Sequence, residues 1–219
     1  STEASGDNST AMGKSTEASG SYSTAMGLNT EASGDYSTAM GAGTEASGDF
    51  STAMGCNTGA MGYQLAVGRY NIISGDTTLY VSNAPLFIVG NGLYASSRSN
   101  ALTLYGNGNL TIAGTLTQSS DIRLKTNITP IGNVLSALEF ITPITYEFKD
   151  TQTHPEGLQI GFSAQEIQAQ FPELVREDES GNLSVAYGHM SAVLLQAIKE
   201  QQEMIKQLQA DVEELKNKE

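Results

Sequence analysis

The feature that most constrains this chain is a repeat. Residues 1–56 are four copies of one fourteen-residue unit: STEASGDNSTAMGK, STEASGSYSTAMGL, NTEASGDYSTAMGA and GTEASGDFSTAMGC. Within each unit an Ala-x-Gly recurs every seven residues, from Ala4/Gly6 to Ala53/Gly55, continuing at Ala60/Gly62. The pattern then slips by one residue to Ala66/Gly68. Seven is also the coiled-coil period, but two glycines in every fourteen residues and dense Ser/Thr disfavour a helix, and no Leu/Ile seam is present. The remaining solution is a solenoid with two short strands per coil and a glycine turn after each. Strand alternation is expected to turn Ala and Met inward and leave Glu and Asp outside. Glu3, Glu17, Glu31 and Glu45 then form an exposed acidic ladder, and Tyr22, Tyr36 and Phe50 an aromatic one.

A core of Ala and Met is thin for a lone chain, and a threefold bundle is the simplest way to supply neighbours. On the Ala-x-Gly pattern, residues 1–68 resemble the head repeats of trimeric autotransporter adhesins (YadA-like). That resemblance implies a left-handed parallel β-roll in a trimer. The aromatic ladder offers either a glycan-binding face or packing between coils, and packing is the commoner use of such spacing. Met12-Gly13-Lys14-Ser15 ends like a phosphate loop, but Asn8 occupies the position of the required earlier glycine.

From 71 to 119 the chain reads as a β-strand shaft. Its apolar runs are Thr78–Val81, Leu86–Val89, Ala101–Tyr105 and Asn109–Ile112, with tight turns at Gly90-Asn91-Gly92 and Gly106-Asn107-Gly108-Asn109. The stretch from Arg98 to Thr111 resembles the distal shaft of phage tail fibres.

Beyond residue 119 the pattern becomes α+β. Thr129-Pro130 reads as a helix start, with Val134, Leu135 and Leu138 as its apolar face. Strands are expected over Ile144–Phe148, Leu158–Phe162 and Leu183–Tyr187, with a polar loop from Asp150 to Gly157. Ser163-Ala164-Gln165-Glu166 is a capping box opening a helix that Pro172 ends. From about 189 to 217 the chain reads as one helix with a heptad seam. Ile198, Ile205 and Val212 hold its a positions; Leu194, Gln201, Leu208 and Leu215 hold d. Such a seam predicts a coiled coil of two or three strands, and it agrees with the trimer suggested by the repeats.

The ordered series Ser120-Asp121-x-Arg123-x-Lys125-x-x-Ile128, Ile160–Glu166, Phe171–Val175, Ser184–Tyr187 and Ala197–Glu200 resembles the endosialidase-type intramolecular chaperone. This is a self-cleaving C-terminal domain of phage tail spikes and fibres. The resemblance implies cleavage of the Ser119–Ser120 bond with Ser120 as nucleophile and Lys125 as general base. It also implies a domain at 120–219 that drives trimer folding and is then released. A serine hydroxyl needs a base to take its proton, and a lysine serves when burial favours its neutral form. Asp121 and Arg123 are expected to support the turn or to pair across chains. His154 and His189 sit in no catalytic-looking context and are expected to be structural.

Charge and composition exclude other classes. The net charge is −13, with 3 basic and 8 acidic residues before position 119 and 8 basic and 16 acidic after it. No basic cluster is available for nucleic acid or an anionic membrane. No run of eighteen apolar residues exists to span a bilayer. Cys56 is the only cysteine, which excludes an intrachain disulfide and leaves no thiol metal site. No cofactor or metal is expected. The chain starts in mid-pattern and reads as part of something longer.

The expected function is therefore the C-terminal part of a trimeric fibre with a self-releasing chaperone. It belongs to a virion or, alternatively, a bacterial surface, with a host glycan or receptor met through the upstream fibre. The alternative is an adhesive trimer whose coiled coil is a permanent clamp.

Overall fold

In the computed structural model, which describes residues 1–218, the repeats form a parallel solenoid. Each coil contributes a two-residue strand and a five-residue strand. The short strands, from Glu3–Ala4 to Gly59–Ala60, stack in one five-stranded parallel sheet. The long strands Thr10–Lys14, Thr24–Leu28, Thr38–Ala42, Thr52–Cys56 and Leu65–Arg69 stack in a second. Register follows the repeat, Ala11 opposite Ala25 and Ala25 opposite Ala39. At the slip, Ala66 lies opposite Ala53.

The core of the solenoid is a column of alanines. Ala18, Ala25, Ala32, Ala39, Ala46, Ala53, Ala60 and Ala66 are all 0% exposed. The expectation that methionine shares this core is wrong. Met12 is 58% exposed and Met40 36%, because each follows an inward alanine directly and strand alternation turns it out. The inner places belong instead to hydroxyls such as Thr16, Ser23, Thr30 and Ser37, which are buried. Glycine is required at the strand ends. Gly27 has φ +127°, and a Cβ there would collide with the Gly41 carbonyl of the next coil.

The two ladders stand outside as expected. Glu3, Glu17, Glu31 and Glu45 are exposed and pair in register. The Glu31 carboxyl is raised above its ordinary value, first by burial and then by Glu45 and Glu17 on either side. Tyr22, Tyr36, Phe50 and Tyr63 stack with ring centroids 5.0, 5.0 and 5.3 Å apart. The inner ring faces are covered by neighbouring rings, which is packing between coils. All four have φ between 55° and 61°. This left-handed conformation is costly for aromatic residues, and the stack and a backbone bond per residue (Tyr36 N–H to Ser21 carbonyl, 2.8 Å) offset it.

Asn71 closes the short-strand sheet. It is buried, its Oδ1 accepts the Gly59 N–H at 2.8 Å, and its Nδ2 donates to the Gly59 carbonyl at 2.8 Å. One side-chain amide thus takes the place of the next strand. The long-strand sheet continues instead: Pro85–Asn91 adds parallel to Leu65–Arg69, then Asn100–Tyr105 and Leu110–Ile112 add antiparallel.

Two expectations for 71–119 are corrected. Thr78–Val81 is not a strand. The Asp76 carboxylate takes the Thr78 and Leu79 N–H groups at 2.9 Å each, withdrawing them from any ladder. Gly90 and Asn91 are not in a turn but end a strand, because Gly68 and Arg69 lie opposite them.

The chain divides into two compact units. The first comprises residues 1–118 with the loop Phe148–Gly157; the second comprises Ser119–Glu147 and everything from Leu158. The second unit holds helices α1 (Leu135–Leu138), α2 (Ala164–Gln170) and α3 (Tyr187–Lys216). It also has two antiparallel pairs, Pro143–Tyr146 with Gln159–Phe162 and Val175–Glu177 with Leu183–Val185. Its core joins Val134, Ile141, Ile167, Phe171, Leu174, Val175, Met190, Val193 and Ala197.

Helix α1 does not begin at Thr129-Pro130. Asn133 at φ 51° interrupts the helical path, and α1 starts only after Val134. The capping box is half formed. The Ser163 hydroxyl accepts the Glu166 N–H at 3.4 Å, while the Glu166 carboxylate reaches across to the Thr142 N–H at 2.9 Å.

Candidate active site

The border segment folds by local rules. Asp121 is extended (φ −61°, ψ 129°), and its carboxylate accepts the Arg123 N–H at 2.9 Å, capping a single 3-10 turn over Ile122–Leu124. Leu124 N–H donates to the Asp121 carbonyl and Lys125 N–H to the Ile122 carbonyl, each at 3.1 Å. This turn lies between Ser120 and Lys125 and brings their side chains together. Lys125 Nζ donates to Ser120 Oγ at 2.9 Å.

Asp121 and Arg123 pair within the turn. Arg123 Nε donates to Asp121 Oδ1 at 3.1 Å and to Oδ2 at 3.0 Å. The Arg123 guanidinium and backbone N–H hold the Asp121 carboxyl below the usual carboxylate range. Both groups are exposed on average, Arg123 by 84% and Asp121 by 38%. Within one chain the pair shapes the turn.

The site lacks the expected burial. Ser119, Ser120 and Lys125 are exposed, as are the apolar neighbours Ile122 at 62% and Leu124 at 76%. Within one chain nothing excludes water from the amine, so the desolvation expected of a lysine base is not supplied by that chain's own fold. The His154 and Phe148 ring centroids lie 4.5 Å apart and His154 Nδ1 bonds to the Thr153 hydroxyl, while the His189 N–H, in the first turn of α3, donates to the Ala186 carbonyl at 3.0 Å.

The heptad residues lie on α3. Leu194, Ile198, Ile205, Leu208, Val212 and Leu215 are 47–64% exposed in the single chain. Another flank of the helix, through Met190, Val193 and Ala197, is buried in the core of the unit. The seam is therefore left clear by the chain's own packing.

One polar contact escaped the sequence reading. The Glu200 carboxylate accepts the Val134 N–H with both oxygens and the Leu135 N–H with Oε2, all at 3.1 Å, and the Gln196 amide at 2.9 Å. Its backbone partners are 65 and 66 residues away, and no local motif announces them. Among the described residues, no group of three His, Cys, Asp or Glu is placed to hold a metal. No helix among them is long and apolar enough to cross a membrane.

Comparison with known proteins finds a similarity in each part of the chain. Residues 120–176 match the peptidase family described as the chaperone of endosialidase. Residues 4–30 and 32–58 match two copies of the YadA head domain repeat. The chain is 32% identical over 164 residues to the long tail fiber protein Gp37 of Enterobacteria phage K3, covering 66% of this chain and 12% of that protein. It is also 32% identical over 139 residues to Gp37 of Enterobacteria phage T2, covering 60% of this chain and 9% of that one. The chain thus spans only about a tenth of the length of these relatives. The peptidase family supports self-cleaving activity in general terms. Of the two locations the repeats allow, the similarity to phage fibre proteins supports the virion.

Proposed function

We propose that residues 120–219 form a self-releasing chaperone that assembles three chains of a tail fibre and then cuts itself away at Ser119–Ser120. The observation that carries the reading is the 2.9 Å approach of Lys125 Nζ to Ser120 Oγ within a segment that matches a peptidase family. In the reaction Ser120 Oγ attacks the Ser119 carbonyl carbon. Lys125 takes the hydroxyl proton and passes it to the Ser120 nitrogen as the peptide C–N bond breaks. The resulting ester between Ser119 and Ser120 Oγ is hydrolysed by water. The products are a carboxylate on Ser119 and a free amine and hydroxyl on Ser120.

The exposure of the pair supports coupling to assembly. The lysine must be neutral to take a proton, and burial favours that form. The single chain leaves the amine in water, so neighbouring chains have to cover it. The heptad seam of α3 provides a surface for them, with β-branched a positions suited to two or three strands. Folding a β-rich fibre is slow because its contacts are non-local, and a template that leaves afterwards fits that need.

The test is intact mass and N-terminal sequencing of the purified full chain. A new N-terminus at Ser120 is expected, and Ser120→Ala should give only the uncut 23.1 kDa chain. Two fragments from Ser120→Ala would refute the assignment. An uncut wild-type trimer would favour the permanent clamp.

A further inference from the structure

We infer that Glu200 is a positioning residue for this cleavage: it ties the segment bearing Ser120 and Lys125 to the helix through which the chains assemble. The inference rests on the self-cleavage reading above.

Every residue from 119 to 133 is exposed, and the first buried one is Val134, at 1%. The bonds of the Ser120–Lys125 turn are internal to it, so this turn hangs on a tether whose fixed end is Val134–Leu135. That end begins a helix of only four residues, too short to be stable by itself. The first N–H groups of a helix have no partner within it, and a carboxylate is their best acceptor. Glu200 supplies one, donated to by Val134, Leu135 and the Gln196 amide. These same donors hold its carboxyl below the usual range, with the Gln196 amide first.

Glu200 also stands in the right place on α3. At about 100° per residue it lies roughly 130° around the helix from the midline of Ile198 and Gln201. Assembly through the seam and the hold on Val134 therefore do not compete. Joining three α3 helices sets where three tethers begin.

The size of the effect follows from tether length. Lys125 is about nine residues from Val134. If loss of the Glu200 bonds frees Val134 together with α1, the next buried residue is Ile141, about sixteen residues from Lys125. Effective concentration falls as about the −3/2 power of length, so cleavage should slow roughly two- to threefold.

The experiment is a time course of cleavage in full-length chains at matched trimer content. Amide hydrogen exchange at Val134 and Leu135 is read in a Ser120→Ala background. Glu200→Ala should cut two- to threefold more slowly and exchange faster at both amides. Glu200→Gln, which keeps one acceptor oxygen, should fall between. Unchanged rate or unchanged protection overturns the inference. Where Glu200→Ala fails to assemble, a chain that keeps Glu200 but carries about seven Gly/Ser residues inserted after Gly132 decides. It should show the same slowing, and a wild-type rate from it overturns the inference. A wild-type chain that never cuts defeats the cleavage reading and this inference with it.

Discussion

The solenoid and helix α3 solve opposite problems. In the solenoid the repeated residue closest to the axis is alanine, 0% exposed in coil after coil. Little apolar area is buried per coil, and continuous backbone ladders between identical coils do much of the holding. In α3 the repeated residues are large and apolar, yet Ile198 and Leu208 are each 62% exposed. One period is satisfied inside the chain and the other is left for partners. A periodic pattern therefore says that something repeats, and residue size and backbone type say whether the chain completes it alone.

The most severe perturbation is to charge the seam. Replacing Ile198, Ile205 and Val212 with Glu together should abolish assembly and, with it, cleavage. Efficient cutting by such a monomer, read on a denaturing gel, would remove the link between assembly and chemistry.

The converse change is Gly27→Ala. Its Cβ meets the Gly41 carbonyl, and its φ is +127°. A loss of about 2–4 kcal/mol in solenoid stability is expected from strain and clash together. Thermal melts should show it, while the cleavage rate in assembled chains stays close to wild type.

A smaller effect sharpens the border between the regions. Asp121→Ala removes the cap of the 3-10 turn and should slow cleavage, by roughly tenfold at most. Asp121→Asn keeps an acceptor oxygen and should lose less. Equal rates for all three chains would show that the turn does not need its cap.

The smallest expected effect is on pH. The Glu31 carboxyl is raised in the folded solenoid, so the fold binds its proton more tightly than the unfolded chain does. Its stabilising contribution is complete below the unfolded value and is lost as pH rises through the folded one. Urea melts across that window should show the solenoid gaining less than about 1 kcal/mol on acidification. Glu31→Gln should flatten the trend.

Much of the fold was legible because its information is local. Strand pairing between identical coils needs only the repeat length, and Ala11 opposite Ala25 is that length written in space. The heptads of α3 and the capping role of Ser163 are legible for the same reason. At the site, Ser120 and Lys125 are joined by a five-residue turn whose cap, Asp121, stands inside the motif. Other features were decided by partners distant in the chain. Neighbouring Gly68 and Arg69 carry a strand through Gly90-Asn91, where the text reads as a turn.

The features legible in the residues alone are periodic or nearest-neighbour: the solenoid, the long helix and the turn between Ser120 and Lys125. Propensity, alternation and capping act over a few residues, and repetition multiplies them into architecture. The tertiary structure alone decided that α1 starts at Leu135 under the Glu200 carboxylate, and that Asn71 closes a sheet with its side-chain amide. It alone showed that the Ser120–Lys125 pair lies in the open within one chain. Hydrogen-bond partnership and burial depend on which distant groups arrive beside a residue, and no short-range rule carries that information.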